Sequence, residues 1–185
     1  MPLPLLNAHR LLPAGVHEAT TDDLSDRFVI DFPASESRPP LYAGMLRYRR
    51  DLLTLGVQAT QWIDGSFVDG SRLDPHDIDL VNFCTASVLD RLPTDRRMHA
   101  LALLAGRGGA AAVYGVHAFL AVRFPPAHPN ADSFDRRCRY WFDWFSFARD
   151  YRRPDKPVDE TRGRKGIVQI LLGDVTLCPV VSDES

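Results

Sequence analysis

The sequence predicts an α/β (α+β) domain, a mixed β-sheet flanked by helices, and three observations carry that prediction. Residues 38–55 repeat Leu41, Met45, Tyr48 and Leu52 at helical spacing. Residues 58–63 and 77–83 are short apolar runs of strand length, set between turn-forming residues. After residue 132 comes a second helical stripe: Phe134, Cys138, Trp141, Phe145 and Ala148. With 185 residues, 45% of them hydrophobic and 25% charged, the chain can bury the core of one domain spanning 1–185.

The elements follow in order. Residues 1–19 read as an extended or looped N-terminal segment. Thr20 and Thr21 precede Asp22 and Asp23, which marks a helix start with acidic residues in its first turn, and a short helix reaches about Phe28. Residues 31–37 are a polar connection. Ser37 followed by Arg38-Pro39-Pro40 starts the long amphipathic helix, with proline in its first turn, and Gly56 ends it. The strands over 58–63 and 77–83 come next. Helical segments over 87–92 and 94–105 are separated by Pro93. Gly106-Arg107-Gly108-Gly109 reads as a helix stop, because no Lys-Ser or Lys-Thr follows to make a P-loop. The run from Val113 to Phe124 is almost all apolar and reads as a central strand, buried on both faces. Asp132 or Ser133 caps the aromatic helix. Residues 150–165 are polar, with Pro154 and Pro157, and read as a mobile loop. Ile167–Leu172 and Val175–Val180 flank Gly173-Asp174 and read as a closing hairpin. Residues 181–185 are a polar tail.

A formal net charge of -2 gives no global attraction to nucleic acid or anionic membrane. Cys84, Cys138 and Cys178 show neither metal spacing nor a disulfide framework, which predicts free thiols in a reducing cytoplasm. No apolar run reaches the length of a membrane span. The apolar start Met1-Pro2-Leu3-Pro4-Leu5-Leu6 lacks the basic residues and the long hydrophobic stretch of a signal peptide.

The stretch 62–81 carries the chemistry. Gly65-Ser66 ends the first strand, and Asp77-Ile78-Asp79 begins the second, Asp77 lying eleven positions after Ser66. On a strand, Asp77 and Asp79 share a face, with α-carbons about 7 Å apart, while Ile78 and Leu80 point into the core. Two carboxylates on one face repel unless a cation sits between them, and Mg²⁺ or Mn²⁺ takes such oxygen ligands. Gly65 permits close approach of a phosphate, Ser66 adds a hydroxyl, and a helix starting there would add free N–H groups. The competing reading is a plain hairpin with solvated aspartates.

Gly65-Ser66, a spacer, and Asp77-Ile78-Asp79-Leu80 resemble the signature of the DNA polymerase β-like nucleotidyltransferase superfamily. The wider string Trp62-Ile63-Asp64-Gly65-Ser66-Phe67-Val68 with Asp74-Pro75-His76-Asp77-Ile78-Asp79 resembles a small bacterial family of uncharacterised nucleotidyltransferase-like proteins. So do Leu12-Pro13-Ala14-Gly15-Val16-His17, Arg139-Tyr140-Trp141-Phe142-Asp143-Trp144-Phe145 and Lys165-Gly166-Ile167. The resemblance implies a minimal nucleotidyltransferase fold and transfer of a nucleotidyl group from a nucleoside triphosphate to a hydroxyl of a nucleotide, an RNA end or a protein. It implies Mg²⁺ or Mn²⁺ on Asp77 and Asp79, triphosphate held by Gly65 and Ser66, and phosphate charge met by Arg72 in the loop or by Lys165 if it folds back. It further implies a bacterial toxin or antiphage setting. The chain has no room for a large separate substrate domain, so a protein partner or a second copy would complete the site, and the lack of an apolar span predicts no membrane partner. Active members of the superfamily place a third carboxylate on a neighbouring strand. Here that position holds His117, which would bind softer ions or act as a base, with Asp132 and Asp135 the nearest acidic alternatives. The second reading implied is a fold kept for nucleotide binding or protein interaction with catalysis lost.

Overall fold

The computed structural model describes residues 2–107, 109–150, 155 and 157–175. Five strands form one mixed sheet: β1 Gly15–Glu18, β2 Ala59–Asp64, β3 Ile78–Thr85, β4 Val116–Arg123 and β5 Gly166–Leu172. Their spatial order is β1-β5-β2-β3-β4. The β1–β5 and β3–β4 pairs are parallel, and β2 runs antiparallel to both β5 and β3. The helices are α1 Thr21–Ser25, α2 Arg38–Leu55, α3 Ala86–Asp90, α4 Thr94–Leu104, α5 Ala110–Tyr114 and α6 Ser133–Phe145.

The period-two alternation of the strands builds two cores. One face of the sheet, carrying Ile63, Ile78, Leu80, Val116, Val168 and Ile170, packs under Met45, Tyr48 and Leu52 of α2 and under Leu24 and Phe28 near α1. The opposite face, carrying Trp62, Val81, Phe83, Ala121 and Ile167, packs under Phe134, Cys138, Trp141, Phe142 and Phe145 of α6. Both predicted helical stripes are therefore core stripes. Thr20 caps α1 with a reciprocal capping box to Asp23, and the helix continues through a π-helical turn over Asp26–Ile30. Helix α2 starts at Arg38 and ends at a left-handed Gly56, as its sequence signals require.

Several expectations are corrected. The run 113–124 is divided: 110–114 belongs to α5, and only Val116–Arg123 is strand. That strand is the sheet edge rather than its centre, with His117 and Arg123 exposed. Its apolar composition has another cause, since α6 and α2 cover its two faces while its outer edge has no partner strand among the described residues. The fully buried strand is β2, which lies between β5 and β3. The second arm of the expected closing hairpin falls on residues that are not described beyond Val175. β5 inserts between β1 and β2, and residues 176–180 lie outside the described residues, as do the tail and Cys178. The N-terminal segment supplies an edge strand, β1. The described part of 150–165 is held to the body by bridges Phe147–Arg164 and Arg149–Val158 and by a 3-10 turn at Glu160–Arg162. Cys84 and Cys138 are free and buried, and burial pushes both thiols up to about 12. No described helix is long and apolar enough to cross a membrane.

Candidate functional site

The connection between β2 and β3, residues 65–77, is held from beneath by one buried side chain. Arg38, in the first turn of α2, is fully buried and makes no ion pair among the described residues. It donates instead to five backbone carbonyls: Leu73 (3.1 Å), Phe28 (3.0 Å), Phe67 (2.7 Å), Asp69 (3.1 Å) and Arg72. Its guanidinium lies 4.0 Å over the Phe32 ring. Burial pulls its pKa down to about 10, against Asp69 and Asp74, so it stays charged at neutral pH. Only arginine offers five donors in one planar fork. From above, Asp74 Oδ1 accepts from Ser35 Oγ (2.9 Å) and from the Glu36 and Ser37 N–H groups (2.8 and 3.1 Å), which ties the loop to the start of α2.

This loop delivers Asp77 and Asp79 to the α6 side of the sheet, the side that also carries Val81 and Phe83. In the parallel β3–β4 pair, Asp79 is the register partner of His117. His117 Nδ1 is 3.2 Å from Asp79 Oδ1, and its ring lies 4.5 Å from that of Phe119. Asp77, Asp79 and His117 each offer one ligand atom, all within 4.8 Å of one another. Adjacent ligands on an ion with bonds of about 2.1 Å are roughly 3 Å apart, so the His117–Asp79 spacing suits a shared ion. Two carboxylates and an imidazole make a mixed oxygen–nitrogen donor set that fits a divalent cation and favours Mn²⁺ over Mg²⁺.

Gly65 is the point of closest approach. Its φ is 78°, in the left-handed region, and a β-carbon there would collide with Asp79 Oδ2. The Asp79 carboxylate thus occupies the space that a side chain at 65 would fill. Residues 65–68 are turns rather than a helix start, so the expected helix N-terminus is not formed. Ser66 is half-buried and takes the Asp69 N–H on its carbonyl at 3.3 Å.

Sequence reasoning passed over Asp64. It is the register partner of Asp79 across β2–β3 and is fully buried. Burial pushes its carboxyl up to about 7, against the pull of Lys165, whose Nζ lies 2.6 Å from Asp64 Oδ1. Lys165 Nζ also donates to the Gly65 carbonyl at 3.2 Å. Lys165 therefore reaches the site, as expected, but as the buried counter-charge of Asp64. The signal for Asp64 is its parity: it lies two residues from Trp62 and shares that residue's face of β2.

A cavity of about 240 Å³ opens beside these groups, its floor formed by Asp64, Gly65, Asp79, His117 and Lys165. Its wall is aromatic, from Phe119 and from Tyr140, Trp141, Trp144, Phe145 and Phe147 on and after α6, and Arg149 stands among them. Arg72 does not line it; its carbonyl is bound by Arg38, and it belongs to the loop. Asp132 and Asp135 are exposed at the start of α6 and do not join the Asp77–Asp79–His117 cluster.

The model of a protein family described as "Family of unknown function (DUF6932)" matches residues 4–171. No curated protein and no solved structure matches the chain.

Proposed function

We propose that this chain, which belongs to the DUF6932 family of unknown function, is a divalent-metal-dependent nucleotidyltransferase that moves a nucleotidyl group from a nucleoside triphosphate to a hydroxyl acceptor. One observation carries the reading: Asp77, Asp79 and His117 converge within 4.8 Å beside a glycine whose missing side chain makes room for Asp79. The resemblance of Gly65-Ser66 and Asp77-Ile78-Asp79 to the nucleotidyltransferase signature supports it. When bound, the ion would neutralise phosphate charge and polarise the phosphoryl group. Asp77, Asp79 and His117 would hold it, and Gly65 would let the triphosphate come close. Lys165 lies in the floor of the site, held by Asp64 and by the Gly65 carbonyl. In the transfer, the acceptor oxygen bonds to the α-phosphorus, and the bond from that phosphorus to the bridging oxygen breaks. Pyrophosphate leaves with the electron pair, and the acceptor proton passes to water. Such chemistry relies on positioning and electrostatic stabilisation, which fits a site of few residues. The acceptor is a hydroxyl of a nucleotide, an RNA end or a protein, and a toxin or antiphage setting follows from the resemblance.

The test is pyrophosphate release from each nucleoside triphosphate with Mg²⁺ or Mn²⁺. The expected result is release that is faster with Mn²⁺ and falls roughly 100-fold or more in Asp77→Ala and Asp79→Ala variants of intact fold. Equal turnover in wild type and both variants removes the assigned site. A second reading, a nucleotide-binding module without catalysis, draws on His117 standing where the resemblance places a carboxylate. A silent wild type with turnover restored by His117→Asp would select that reading.

A further inference from the structure

The aromatic cavity beside Asp79 and His117 contains a cation that the transfer chemistry leaves unassigned. Arg149 follows α6, and its backbone is bridged to Val158. Its guanidinium carbon lies 3.9 Å over the Trp144 ring, and Nη2 donates to the Trp144 carbonyl at 3.3 Å. Its Nε is buried and has no hydrogen-bond partner among the described residues. Arginine carries only donors. Arg149 lines the cavity, and its outer Nη groups carry more N–H donors than the one given to Trp144, so this donor-only head can meet an acceptor atom there.

The rest of the cavity specifies what brings that acceptor. Six aromatic side chains line it, and Tyr140 and Trp144 remain 54% and 43% exposed, their rings inclined by only 19°. Such faces stack planar groups, at about 1–3 kcal/mol per base in single-stranded nucleic-acid sites. At about 240 Å³ the cavity is smaller than the roughly 300–1,000 Å³ of drug-sized sites, which suits one fused ring system rather than a whole nucleotide. Its floor includes Asp79 and His117, so a ligand whose phosphates lie at the acidic cluster has its base directed to this wall.

We infer that this cavity is the base-reading subsite of the nucleoside triphosphate and that Arg149 selects a 6-oxopurine, guanine in the natural case. Guanine presents two neighbouring acceptors, O6 and N7, which match a guanidinium bidentately. Adenine places an amino donor where O6 would be, against an all-donor side chain. The inference rests on the nucleotidyl-transfer reading for the placement of the phosphates, but base selection is measured separately.

GTP, ITP and ATP are titrated into the full chain with Mn²⁺ while tryptophan emission is followed; Trp144 is the exposed reporter, Trp62 and Trp141 being buried. ITP keeps O6 and N7 and lacks the 2-amino group of guanine. The expected result is that GTP and ITP bind roughly tenfold or more tightly than ATP. Arg149→Met and Arg149→Lys both level the three, lysine because it keeps the charge and lacks the planar fork. Tyr140→Ala weakens all three by about tenfold. Equal affinity for ATP and GTP, or a GTP preference that survives Arg149→Met, overturns the inference. Pyrophosphate release measured alongside separates the two readings. Equal release from GTP, ITP and ATP removes base selection and leaves the transfer reading standing. An Arg149-dependent preference for GTP and ITP without release from any of them sustains base selection and removes the transfer reading.

Discussion

At the residue scale, Gly65 has two independent constraints. Its backbone is left-handed, and the space beside its α-carbon is filled by the Asp79 carboxylate. The first makes any L side chain cost about 1–2 kcal/mol, and the second ties that cost to the acidic cluster. Gly65→Ala is therefore expected to lower stability by roughly 2 kcal/mol and to displace Asp79. Urea unfolding reads the first effect. Mn²⁺ titration of the folded variant reads the second and should show affinity falling about tenfold or more. An alanine variant that binds metal like wild type would show that Asp79 does not depend on this space. Asp64 and Lys165 are also matched to each other, since a buried carboxylate facing Asp79 would repel it without the lysine charge.

At the element scale, the loop between β2 and β3 is positioned by Arg38 rather than by its own turns. Five carbonyls converge on one guanidinium from Phe28, Phe67, Asp69, Arg72 and Leu73. Arg38→Lys keeps the charge but offers three donors on a point-like head, leaving buried carbonyls unsatisfied. The expected loss is about 3 kcal/mol in urea unfolding, with the loop becoming the first segment to exchange its amide hydrogens. Unchanged protection over 66–74 would mean that the loop stands without Arg38. The edge strand β4 shows the limits of pattern reading at this scale. An apolar run reads alike for a central strand and for an edge strand covered on both faces, because hydropathy reports coverage and not hydrogen-bonded neighbours.

At the scale of the whole molecule, the segment before β5 is clasped to the motif loop. Arg162 pairs bidentately with the buried Asp69, at 2.7 Å for each bond, and donates to the His9 carbonyl at 3.0 Å. One arginine therefore joins the N-terminal segment, the central loop and the approach to β5. Burial by itself would raise the Asp69 carboxyl, but hydrogen bonds from Arg162 and Ser71 outweigh it and hold the group below its ordinary 3.8. A carboxyl held low in the folded state gives stability that is present above 3.8 and is lost as pH falls through the lower folded value. Asp69→Asn should therefore be about 3 kcal/mol less stable than wild type at neutral pH. That gap should narrow as the pH of urea unfolding drops below 3.8. A gap that is constant with pH would show that the carboxylate charge contributes nothing.

What the chain determined by itself is what local pattern can encode. The bounds of α2, the two helical stripes and the shared face of Asp77 and Asp79 follow from fixed periods of 3.6 and 2 and from cap chemistry, whereas the expectation for His117 came from the family resemblance. The tertiary structure decided the rest: β5 inserted between β1 and β2, Asp64 facing Asp79 over Lys165, Arg38 under the loop, and Arg149 in an aromatic cavity. These are partnerships between residues distant in sequence. Burial makes the partners necessary, because an unpaired charge or carbonyl costs too much away from water, but no local period names which distant residue will supply the pair.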